Sequence, residues 1–78
     1  MKVMDVRDVY HIKGTILVGY LECDVKVGET FIIGSEQAIL MNIESWNKSK
    51  ESANRGEGVA LLFRDLKNDV KPGTIITK

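Results

Sequence analysis

Short apolar, β-branched runs recur along this chain at the length of a β-strand, each cut off by a cluster containing Gly, Asp, Asn or Pro. No window sustains an apolar stripe at the 3.6-residue helical period with caps at its ends, so the pattern predicts an all-β fold. The runs are Val9 to Ile12, Thr15 to Leu21, Thr30 to Ile33, Ala38 to Glu44, Val59 to Phe63 and Thr74 to Thr77, six strands in all. A chain of 78 residues supports a single domain, residues 1–78, because at this size only roughly 60–65% of the unfolded surface is buried. Net stability is then about 4–12 kcal/mol, and a large internal active-site cavity would displace core that the domain needs.

Side chains alternate along a strand, so Ile16, Val18 and Tyr20 share one face while Thr15, Leu17, Gly19 and Leu21 share the other. Ile39, Met41 and Ile43 likewise oppose Ala38 and Leu40, and Val59, Leu61 and Phe63 oppose Ala60 and Leu62. Both faces of these strands are apolar. One builds the core, and the other needs a cover, whether a loop, a second sheet or a partner.

Eleven Lys and Arg balance eleven Asp and Glu, which leaves no overall field to attract phosphate backbones and argues against a general nucleic-acid coat protein. Only Asn47 to Arg55 leans basic, through Lys48, Lys50 and Arg55 against Glu51. The single Cys23 has no disulfide partner, and no Cys or His pair accompanies it as a zinc site requires. His11 stands alone on an alternating strand, a surface position rather than a metal ligand. Charges recur every few residues from Met1 to Asp8, and no segment reaches the ~20 apolar residues of a membrane span. These features predict a soluble cytoplasmic protein with no metal or other cofactor.

Two turns echo each other, Val25-Lys26-Val27-Gly28 before Glu29 and Val70-Lys71-Pro72-Gly73 before Thr74. Each places Gly where a type II turn needs positive φ, and Pro72 fixes the preceding position. Ser45 to Gly58 reads as one long polar connection, a length at which loops are commonly functional.

Gly14-Thr15-Ile16-Leu17-Val18-Gly19, Val25-Lys26-Val27-Gly28-Glu29, Gly56-Glu57-Gly58-Val59-Ala60-Leu61-Leu62-Phe63-Arg64 and Val70-Lys71-Pro72-Gly73-Thr74-Ile75-Ile76 follow one another in a familiar order, nearly without gaps from Glu44 onward. In this the chain resembles the second domain of translational GTPases, most nearly that of elongation factor Tu, from Asp8 to Thr77. The resemblance implies a small closed six-stranded β-barrel. Closure is also the physical remedy for unpaired edges in so small a β-protein. The Walker pattern G-x-x-x-x-G-K-[ST] is absent, so no cradle for a triphosphate is expected and no GTP is bound.

In that family the barrel helps to hold the aminoacylated 3′ end of tRNA, with the terminal adenine in a surface pocket. The bordering Asp-Val-Phe element looks like Asp8-Val9-Tyr10, and the Val-Glu-Met-Phe element looks like Ile43-Glu44-Ser45-Trp46. By resemblance, Asp8, Tyr10, Lys13 and Glu44 are the RNA-binding candidates, since an unpaired nucleotide end needs stacking surface, a carboxylate for ribose hydroxyls and a cation. Two departures weaken the match. The Arg after the second aromatic is Asn47 here, and the Gly-Arg-Gly loop shortens to Lys13-Gly14, where a point-charge Lys does not reproduce a bidentate Arg.

No nucleophile accompanies Asp8 and Glu44, which argues for a binding module rather than an enzyme. Arg64 reads as a solvent-facing partner of Asp65 or Glu57. The family's barrel packs against neighbouring domains, so Leu17, Leu21, Leu40 and Leu62, together with Trp46, are expected to form an exposed surface for a protein partner or a second copy. With zero net charge and the Arg contacts gone, a protein partner ranks ahead of a tRNA 3′ end or ribosomal RNA.

Overall fold

In a computed structural model of residues 1–78, the apolar runs become strands and the Gly-containing clusters become turns. There is no helix. The strands are β1 (Lys2–Asp5), β2 (Asp8–Tyr10), β3 (Thr15–Tyr20), β4 (Val25–Lys26), β5 (Thr30–Ile33), β6 (Glu36–Ile39), β7 (Asn42–Ser45), β8 (Lys48–Lys50), β9 (Ser52–Ala53), β10 (Gly58–Phe63) and β11 (Ile75–Thr77). They pair antiparallel in three ladders, ordered β1-β11-β5-β6, β2-β3-β10-β7-β8 and β4-β9.

The run from Ala38 to Glu44 divides between two of these ladders. Leu40 donates its N–H to Glu29 O on the β5 side, and Met41 donates to Leu62 O on β10, each at 2.9 Å. Leu40 and Ile43 are both buried although three residues apart, so the alternation slips by one where the strand changes sheet. On the opposite side β1 bends through buried Val6 into β2, where Arg7 N–H bonds Val18 O at 2.8 Å. A lone bridge between Met4 and Leu21, and Glu22 N–H on Val3 O at 2.7 Å, tie β1 to the end of β3. Gly19 is required at this crossing, because any Cβ there would collide with the Asp5 carbonyl.

The inward faces enclose one cluster of 16 buried apolar residues drawn from all three ladders. Phe31 of β5 meets Phe63 of β10 edge to face, with centroids 5.9 Å apart at 74°, so an aromatic pair joins the two larger sheets. Leu17, Leu21 and Leu40, expected on an exposed partner surface, belong to this core and are at most 2% exposed. They occupy the inward positions of β3 and of the crossover. Leu62 does lie on the outer face of β10, where it is half-buried.

Two further segments differ from the sequence reading. Lys2–Asp5 forms β1, with a bulge between Lys2 and Met4 that buries Val3 and Met4 in succession and hides the period-two pattern. Ser45 to Gly58 is not a loop; it holds β8 and β9. Both expected turns form, with Gly28 at φ 96° and Gly73 at φ 95°, and Asn54 to Glu57 repeats them with Gly56 at φ 92°. In all three, the residue after Gly accepts through its side chain from the backbone N–H three positions earlier: Glu29 from Lys26, Glu57 from Asn54 and Thr74 from Lys71.

These contacts make stability depend on pH. Lys78 Nζ, and then Lys26 N–H, hold the Glu29 carboxyl below its ordinary value of 4.5. The backbone N–H groups of Lys67 and Asn68 do the same for Glu36, and Lys50 Nζ with Asn54 N–H for Glu57. A carboxyl whose folded pKa lies below its unfolded one binds its proton more readily in the unfolded chain. The stabilisation is therefore complete above pH 4.5 and is lost as pH falls through the lowered folded values. Urea midpoints measured across that acid range should drop steadily, and Glu57→Gln should flatten the acid slope.

Candidate functional site

Across the outer face of the five-stranded ladder one register line runs Asp8, Val18, Ala60, Glu44, Ser49. Val18 and Ala60 are half-buried and form an apolar floor, with an exposed carboxylate at either side. Three strand steps of about 4.8 Å put Asp8 and Glu44 roughly 14 Å apart. The neighbouring line pairs Tyr20 with Gly58. The Tyr20 ring rests against Gly58, so that an added Cβ would meet it at 3.2 Å, and the Arg7 guanidinium lies 5.1 Å from the ring centroid. This cation–π contact fixes both groups at the rim.

The remaining wall is the tip of the β7–β8 hairpin. Ser45 pairs with Lys48, leaving Trp46 and Asn47 as a two-residue turn with φ of 54° and 60°. Positive φ at both positions is the type I′ geometry that matches strand twist. An L-residue held there costs roughly 1–2 kcal/mol, and Trp46 recovers none of it by burial, since it is 93% exposed. Ser45 Oγ donates to Gly58 O at 3.1 Å and locks the hairpin base onto β10. These elements border a cleft of about 390 Å³.

Of the residues predicted from sequence, Asp8, Glu44 and Trp46 come together at this cleft. Tyr10 lies on the next register line, with Ile16 and Leu62, and is 50% exposed outside the cleft. Lys13 sits farther along, exposed and at φ 54°, also outside. Arg7 and Tyr20 were not singled out from sequence. Tyr20 was legible as sharing a face with Val18, whereas Arg7 reaches it through the bend between β1 and β2. Chemically the cleft offers acceptors, aromatic surface and one guanidinium. No group of three or more His, Cys, Asp or Glu side chains is placed to hold a metal ion.

The ladders and turns form a fold known from a solved structure. In particular, the chain is similar to Sup35 in the crystal structure of its complex with GMPPNP, with a TM-score of 0.88 and 23% sequence identity over 99% of this chain. The chain spans 20% of the length of the Sup35 chain there. No family model matches the sequence.

The strained, solvated Trp46 generates a stability prediction. Trp46→Asn places a residue suited to positive φ in the turn and should raise unfolding stability by about 1 kcal/mol. Urea denaturation checks it; a loss of stability would mean that the indole supports the fold.

Proposed function

We propose that this chain is a non-catalytic binding module that takes an unpaired nucleotide end, such as a tRNA 3′ end or an exposed ribosomal RNA base, in the cleft between Asp8 and Glu44. The supporting observation is that both carboxylates, Trp46 and the Arg7–Tyr20 pair surround one apolar floor. A base has the floor and the indole to pack on, the ribose hydroxyls have carboxylate acceptors, and Arg7 faces the phosphate side. Burial of Leu17, Leu21 and Leu40 removes most of the surface on which a protein partner was preferred. This role places the protein in the cytoplasm and requires no GTP.

The reading includes a closed six-stranded barrel, in which β1 with β2 and β6 with β7 each count as one bent strand. Its support lies in the bonds at Leu40 and Met41 and in the Met4–Leu21 bridge, which leave each large ladder through shared strands. A second reading, a protein partner or a second copy, is favoured by the exposure of Trp46 together with half-buried Leu62 on the outer face of β10.

Titrating labelled protein with a short CCA-ended RNA, free and aminoacylated, should shift the amide signals of Asp8, Glu44 and Trp46. Asp8→Ala and Glu44→Ala should each weaken binding by roughly tenfold, the loss of one hydrogen bond to a charged group. Signals unmoved at millimolar RNA would sink the nucleotide reading, and concentration-dependent sedimentation abolished by Trp46→Asn would support the second.

A further inference from the structure

The Arg7 side chain reaches the cleft through an irregularity in the backbone. Its N–H bonds Val18 O at 2.8 Å, and Asp8, the next residue, is the register partner of the same Val18. Two residues against one is the arrangement of a β-bulge, which re-aims a side chain relative to plain alternation. Arg7 and Asp8, adjacent in sequence, accordingly both border the cleft.

Their opposite charges do not join. None of the salt bridges of the chain includes either Arg7 or Asp8. The guanidinium instead lies 5.1 Å from the centroid of the Tyr20 ring. A ring face attracts the cation but has no oxygen lone pair to offer, so the contact holds Arg7 while leaving its N–H fork free. The ring is itself held. Tyr20 is the register partner of Gly58, and its edge occupies the space beside Gly58, 3.2 Å from where a Cβ would stand.

An exposed planar guanidinium, fixed at its backbone and at its head, is matched to a bidentate oxyanion. The opposite wall carries the Glu44 carboxylate, which repels one, so the cleft is electrically asymmetric. We infer that Arg7 is the phosphate-binding residue of the cleft and Tyr20 its positioning residue. Together they orient a strand end with its last phosphodiester on the Arg7 side and its terminal hydroxyls toward Glu44. The inference rests on the nucleotide reading of the cleft and adds a polarity to it: a phosphate on the 5′ oxygen is held, and the same phosphate on the 3′ oxygen meets a carboxylate and is repelled.

The test titrates the whole labelled chain with adenosine and with its 5′- and 3′-methyl phosphate diesters, which carry equal charge. The 5′ diester should bind roughly tenfold or more tightly than adenosine, as hydrogen bonds between charged groups require, and should shift the Arg7 Nε–H signal. The 3′ diester should bind no better than adenosine. Arg7→Gln should bring the 5′ diester and adenosine to equal affinity, with the core signals of Phe31 and Phe63 unmoved. Tyr20→Leu should cut the ratio severalfold, whereas Tyr20→Phe, which keeps the ring face, should retain it; a merely structural loss weakens both ligands alike and leaves the ratio in place. Equal binding of the two diesters, a ratio that survives Arg7→Gln, or one unchanged in Tyr20→Leu overturns the assignment while the cleft remains a nucleoside site. No shift at Asp8 and Glu44 with any of the three probes at millimolar concentration overturns the nucleotide reading, and the polarity with it.

Discussion

The handing of one strand from sheet to sheet at Leu40 and Met41 sets the position of nearly everything else in this molecule. Two consecutive N–H groups bond in opposite directions, to Glu29 O and to Leu62 O. The first fixes β6 on β5 and the second fixes the start of β7 on β10. Because the backbone must bend there, Leu40 and Ile43 both point inward and Phe31 can meet Phe63 across the interior. The complementary bend at Val6, tightened against Gly19, places Arg7 and Asp8 beside the same sheet. The cleft is thus a by-product of how the sheets are joined, with its two walls held by the two bends.

Much of the fold was legible because it rests on local rules. Thr30 to Ile33 is a short apolar, β-branched run after a Gly turn and forms a strand with those bounds, and the Gly28 and Gly73 turns follow from positive φ. What was hidden depended on long-range pairing. The bulge in β1 buries two adjacent residues and so masks a strand that charge spacing had already disguised. β8 is polar because only Lys50 of its three residues is even partly covered, so hydropathy carries no trace of it. The orientation of Leu17, Leu21 and Leu40 shows the same limit: alternation separates two faces but cannot say which is inside when both are apolar.

Of the candidates that the family resemblance named, Asp8 and Glu44 lie on one register line. Tyr10 falls one register line away within β2, and Lys13 farther still because the chain from His11 to Gly14 leaves the sheet before β3 begins. Asn47 carries no cation, and the guanidinium bordering the cleft is that of Arg7, in the bend between β1 and β2 and against the Tyr20 ring. A turn that tolerates a left-handed Trp with no packing to offset it is a local conflict between propensity and fold, the kind that is retained at functional positions.

Trp46 is the sole indole in the chain and is almost fully solvated in the native fold. Its emission in the folded state should therefore be red-shifted like that of an unfolded peptide, leaving intrinsic fluorescence nearly silent to denaturation. The same exposure makes it responsive to anything that lands on the hairpin tip. In this protein the usual optical probe of folding is instead a built-in optical probe of occupancy.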